Sequence, residues 1–179
     1  RTELEAQVLG MLDLILPNAP RTLVLQDRYG TPRAKPWGTA HAIAACAEQV
    51  THPFGIANAD DHYGIESFAA LFQVLSENAG GIVAFPIRST LSPNGAVTRG
   101  LVTAADGKLV DVDERGGLHL EGGSIRDGNG HEISEDRLVS MNLWTLPGWV
   151  ASELQTVVQR FEADHAGDPT AECLLPTEI

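Results

Sequence analysis

Apolar residues recur at helical spacing from Leu4 to Leu16, and Pro17 and Pro20 close that run. Thr22–Gln26, TLVLQ, is a short β-type segment. Asp27–Trp37 reads as a loop punctuated by Gly30, Pro32 and Pro36. Ala40–Gln49 is a small-residue helix, and Phe54–Asn58 a short apolar strand. Ile65–Glu77 is an amphipathic helix with Phe68, Leu71, Phe72 and Leu75 along one side. Gly81–Ile87, GIVAFPI, has the unbroken apolar character of a buried strand. Leu101–Ala104 and Lys108–Asp113 flank Ala105-Asp106-Gly107, whose Asp-Gly pair signals a tight hairpin. Arg137–Leu146 predicts a further strand, and Pro147–Asp164 a helix with Pro in its first turn. Strands that alternate with helices predict an α/β fold, with a largely parallel sheet covered by helices on both faces. Gly116–Gly130, rich in Gly and polar residues, reads as either a flexible loop or a flap that covers a substrate.

The length of 179 residues predicts a single domain with a core of useful size. The net charge of -12 argues against nucleic-acid and anionic-membrane partners, which call for a basic face. No apolar run reaches the roughly 18 residues a membrane span needs, and a signal peptide is not expected. Cys46 and Cys173 lie far apart, without a CxxC or a metal-ligand spacing. They read as buried or incidental thiols in a reducing, cytoplasmic compartment.

Candidate chemistry concentrates between Lys35 and Gly64. Gly38-Thr39-Ala40 enters a helix, so backbone amides and a hydroxyl sit at its start. A glycine lets a flat ring approach the backbone closely, and Thr39 can cap the helix or donate to a ligand. Asp60 and Asp61 follow the strand at Phe54–Asn58. Ligands of open α/β sheets bind beyond the carboxyl ends of strands, and paired carboxylates there suit Mg²⁺, a hard cation that prefers oxygen. The structural alternative for either Asp is to close the loop or cap the following helix. Asp111 and Asp113 spell DxD, but in a hairpin strand where alternation sends both to one face.

PWGTAHAI followed by NADDHYG resembles the nucleotidyltransferases that activate sugar phosphates, such as the N-acetylglucosamine-1-phosphate uridylyltransferases and glucose-1-phosphate thymidylyltransferases. The hairpin RGLVTAADGKLVDVDER and the strand MNLW extend the resemblance over about Thr22 to Trp149. It implies a Rossmann-like, mixed but mainly parallel sheet. It also implies a Mg²⁺-dependent reaction that joins a nucleoside triphosphate to a sugar 1-phosphate and releases pyrophosphate. Asp60 is then the catalytic, metal-binding residue. Gly38 and Thr39 seat the nucleotide, and Gly100, Glu114 and Asn142 hold the sugar. At the position where the uridylyltransferases read uracil with a Gln stands Pro36, next to Trp37, whose indole could stack on the base instead. The family's Gly-rich turn with its downstream Lys, and its late metal-binding Asp, have no counterpart in this chain. The expectation is therefore a partial nucleotidyltransferase domain, the middle of a longer protein, that would not turn over alone. A nucleotide-binding regulatory module of the same fold, and a metal-dependent glycosyltransferase, are the alternative readings.

Overall fold

The computed structural model describes residues 2–179. The chain forms two compact units, one from the segments up to His52 and from Gly148 to Ile179, the other Pro53–Pro147.

The first unit is helical. A 3-10 turn at Thr2–Leu4 leads into α1 (Glu5–Ile15), and a second such turn spans Gln26–Arg28. α2 (Thr39–Ala45) packs against α4 (Gly148–Asp164), and the short α5 (Leu175–Glu178) closes the chain. α2 is built largely from alanine, so it can lie close to its neighbour; Ala40 and Ala44 are fully buried, as is Ala151 on α4. Leu154 and Val158 add bulk on the same helix. The β-type segment expected at Thr22–Gln26 forms no strand. A strand exists only with a hydrogen-bonded neighbour, and Thr22 to Leu25 enter no ladder. Gln26 instead opens the second 3-10 turn.

The second unit is a sheet of seven strands among the described residues. β1 (Phe54–Ile56) and β2 (Gly81–Pro86) are separated by α3 (Ile65–Ser76). A 3-10 turn at Ile87–Thr90 follows β2. β3 (Val97–Ala105) and β4 (Lys108–Glu121) make the long hairpin, and β5 (Ser124–Arg126), β6 (Glu132–Ile133) and β7 (Leu138–Leu146) complete the set. Asp106 and Gly107 both have positive φ, the geometry an Asp-Gly hairpin turn requires.

The mainly parallel, Rossmann-like sheet expected from the sequence is not what forms. Every paired neighbour is antiparallel, and the sheet is open. The reason lies in β7. β1 and β2 each run antiparallel to it, so the β1–α3–β2 segment is a genuine crossover whose two strands never meet. Alternating strands and helices predict a mainly parallel sheet, but the late strand β7 takes the place between β1 and β2 and pairs antiparallel with both. α3 is the one α-helix of this unit among the described residues. The Gly116–Gly130 segment is not a loop or a flap: it supplies the end of β4, a turn and the whole of β5.

β7 is flanked along most of its length. Val139, Leu143, Trp144 and Leu146 are all buried, the near-continuous apolar reading of a covered strand. Ile87, Leu101, Leu118, Ile125 and Val139 form one core cluster; Tyr63, Leu71 and Leu143 form a second, with Val83, Phe85 and Met141 packed on it. No helix among the described residues is long and apolar enough to cross a membrane. Leu118 is fully buried in the first cluster, so Leu118→Ala removes packing and leaves a cavity. A loss of about 2–5 kcal/mol is expected from urea unfolding; a loss under about 1 kcal/mol would show that this cluster does not hold the hairpin to the sheet.

Candidate functional site

The residues singled out in the sequence fall into two sets, one in each unit. Gly38, Thr39 and Trp37 lie in the helical unit, where the chain itself engages them. Gly38 has φ +113°, and a Cβ there would stand 2.5 Å from the Cys173 carbonyl oxygen. The Ala40 N–H donates to that same oxygen, and the Cys173 N–H donates to the Trp37 carbonyl. Thr39 Oγ1 accepts a hydrogen bond from the Leu175 N–H at 2.8 Å. Its hydroxyl ties the helix start to the C-terminal segment and does not cap the helix. Trp37 is 3% exposed, donates its indole N–H to the Thr31 carbonyl, and carries the Arg33 guanidinium 4.0 Å over its ring and Phe161 edge-on. In this arrangement the indole offers no open face for a base. Lys35 pairs with Glu172 at 3.1 Å.

His41, left outside the candidate set, is a core histidine. Its Nδ1 faces the Gln26 amide at 3.1 Å and its Nε2 lies 3.2 Å from Glu162 Oε1. Burial pushes its pKa down, against the pull of Glu162. Glu162 also accepts from the Thr31 N–H and hydroxyl, which fixes the Gly30–Thr31 turn on α4. Cys46 and Cys173 are unpaired, and burial pushes the Cys173 thiol up to about 12.

Asp60, Gly100, Glu114 and Asn142 lie in the sheet unit, around one irregularity in β7. Ser140 pairs with Gly100 of β3 and with Ala84 of β2; Trp144 pairs with Ile56 of β1 and with Ile82 of β2. β2 therefore holds one edge of β7, while β1 and β3 share the other. Two steps along β2, from Ile82 to Ala84, match four along β7. The surplus forms a bulge at residues 141–143, in the interval between β1 and β3. Asn142 takes up the bulge with φ +58°, a conformation Asn tolerates better than most residues. Its N–H donates to Ser140 Oγ at 3.2 Å.

The strands direct the other residues to the same interval. β1 runs toward it, so the loop that carries Asn58, Asp60 and Asp61 begins there. β3 arrives at Arg99 and Gly100, and Glu114 pairs directly with Gly100. A Cβ on Gly100 would stand 2.5 Å from Val112 Cγ1 and 3.2 Å from Glu114 Oε1. Glycine at 100 thus leaves the Glu114 carboxylate room to lie across the strand. Partial loss of hydration pushes the Glu114 pKa up; the Arg99 charge works against this and Asp113 adds to it. Arg99 is anchored by its guanidinium to the Thr90 and Thr98 carbonyls at 2.7 and 2.8 Å.

The two aspartates divide their roles. Asp61 Oδ2 accepts from the Asn58 side-chain amide at 2.9 Å and is committed to the loop. Asp60 is exposed. Among the described residues no group of three or more His, Cys, Asp or Glu side chains is placed to hold a metal ion. Asp60 fits Mg²⁺ as one ligand, with phosphate oxygens and water supplying the rest, which is how Mg²⁺ commonly binds. Tyr63 is the residue the sequence reading passed over. It is buried, and its hydroxyl bonds both to the loop at Asn58 and to the bulge at Met141. Its place in NADDHYG, three residues after Asp60, was the available signal.

Glu114 gives a pH test. A carboxyl whose pKa is raised by folding binds its proton more tightly in the native state, so its ionised form weakens the fold above the raised pKa and the effect vanishes below the ordinary value of 4.5. Glu114→Gln is expected to be more stable than the native chain at pH 7, with the difference closing as pH falls toward 4; equal unfolding curves at both pH values would remove the assignment. No family model matches the chain, and no curated protein matches it.

Proposed function

We propose that this chain takes part in a nucleotidyl transfer to a sugar 1-phosphate, and that its sheet unit carries the sugar-phosphate end of the reaction. The observation that supports this most is the β7 bulge. An amide at Asn142 in the bulge, a carboxylate at Glu114 opposite Gly100 and an exposed carboxylate at Asp60 in the loop after β1 belong to the segments that border this interval or pair beside it. Sugar hydroxyls both donate and accept, and a carboxylate with an amide offers them matching partners. The resemblance of NADDHYG, the hairpin and MNLW to sugar-phosphate nucleotidyltransferases supports the same reading.

In this reaction a phosphate oxygen of the sugar 1-phosphate attacks the α-phosphorus of a nucleoside triphosphate. A new P–O bond forms, the bond from the α-phosphorus to the bridging oxygen breaks, and pyrophosphate leaves with the electron pair. The attacking phosphate is already ionised, so no general base is called for. These residues contribute positioning: Asn142 and Glu114 fix the sugar ring, and Gly100 keeps the strand clear of it. Asp60 is the residue that would hold Mg²⁺, which when bound offsets negative charge on the phosphates. The two unpaired cysteines go with a reducing, cytoplasmic setting.

Asn142→Gly separates the amide from the backbone, because glycine accepts the positive φ without strain. The variant is expected to keep its unfolding temperature and to bind glucose 1-phosphate, among a panel of sugar 1-phosphates, about tenfold more weakly by calorimetry, near the 1.4 kcal/mol expected when polar contacts are lost. A native chain that binds no member of the panel would refute the reading. A pyrophosphate-release screen across nucleoside triphosphates then tests turnover, with Asp60→Asn expected to abolish any Mg²⁺-dependent activity.

A further inference from the structure

The loop after β1 and the bulge of β7 are joined through one phenol. The Tyr63 hydroxyl donates to the Met141 carbonyl at 2.7 Å and accepts from the Asn58 N–H at 2.9 Å. Asp61 Oδ2 lies 3.3 Å from the same hydroxyl and is held at 2.9 Å by the Asn58 amide. The ring is fixed from behind by Leu71 and Leu143, with Phe68 edge-on and Phe85 tilted against it. Tyr63 is 7% exposed. Burial pushes its phenol pKa up, and the nearby charges of Asp61 and Asp60 act in the same direction, so the hydroxyl keeps its proton at neutral pH.

A phenylalanine would fill the same space but would leave the Asn58 N–H and the Met141 carbonyl without this partner. What the hydroxyl adds is a rigid link between backbone at Asn58 and backbone at Met141. Asp60 lies two residues after Asn58, and Asn142 directly follows Met141. We propose that Tyr63 is a positioning residue that couples the acidic loop to the sugar-binding bulge, so that occupation of Asn142 by a sugar phosphate sets the loop that carries Asp60. This rests on the reading that Asn142 contacts a sugar phosphate. Tyr63 itself touches no substrate. Its link to the bulge is the hydrogen bond to the carbonyl of Met141, the residue next to Asn142.

The test is a glucose 1-phosphate titration of the whole chain, followed by backbone amide NMR with Mg²⁺ absent. In the native chain the Asn142, Asn58 and Asp60 amide signals are expected to move together, with one apparent affinity. In Tyr63→Phe, Asn142 is expected to move with an affinity within about twofold of native, while the shifts at Asn58 and Asp60 fall at least threefold. Loop signals that move as far as in the native chain would overturn the coupling. So would a variant whose binding at Asn142 is lost altogether, the mark of a merely structural tyrosine. A native chain in which Asn142 does not respond to any sugar 1-phosphate would instead overturn the functional reading on which the coupling stands. If Tyr63→Phe does not fold, exchange of the Asn58 amide in the native chain decides the matter: saturation with glucose 1-phosphate should slow it about tenfold, and an unchanged rate refutes the link.

Discussion

Both edges of β7 are occupied, and that single fact organises the sheet unit. β2 covers one edge, and β1 and β3 divide the other. A strand so placed has its backbone groups paired on both sides, so any surplus residue must leave the ladder as a bulge. The surplus lies at residues 141–143, and the edge opposite β2 opens there. The carboxyl end of β1 and the start of β3 border this opening, and the Gly100–Glu114 pair lies beside it, where Gly100 meets Ser140. The candidate site is thus a consequence of strand pairing rather than of a loop laid over a finished sheet.

The helical unit shows a different economy of polar groups. His41 is buried with its Nε2 3.2 Å from Glu162, Gln26 meets the other ring nitrogen, and Thr31 donates to the second Glu162 oxygen. The Gly38–Thr39 corner receives the Cys173–Leu175 segment through backbone bonds and one hydroxyl. A glycine and a threonine at a helix start can serve a ligand or the chain's own backbone, and the residue types do not distinguish these uses. Here a glycine is demanded by the close approach of the Cys173 carbonyl.

Much of the local structure was legible in the sequence. Helical spacing of apolar residues marked α1 and α3, Pro147 marked the start of α4, and Asp106-Gly107 marked the hairpin turn. Asn142 and Glu114 come from motif resemblance; in the sheet Asn142 lies in the β7 bulge and Glu114 lies opposite Gly100, the partner of Ser140. Tyr63 is core with a polar tip, and its partner at Met141 comes from a distant strand, so no local pattern names its role. Thr22–Gln26 has β propensity, but propensity supplies no partner. Gly116–Gly130 looked like a linker because glycine is scarce in strands. Gly117 instead lets the backbone of Gly128 pass at a distance that a Cβ would block.

The sequence by itself determined which stretches are helical, where the chain turns, and which polar residues are available for chemistry. These are set by contacts among near neighbours, which periodicity and turn chemistry report directly. The tertiary structure decided the pairing partners and the strand directions, and through them the bulge at Asn142 and the Tyr63 bridge. Pairing depends on which distant strand offers its edge, and β7, more than fifty residues after β2, inserted itself beside it. No local pattern carries that choice, because a buried apolar strand reads the same with a parallel or an antiparallel neighbour.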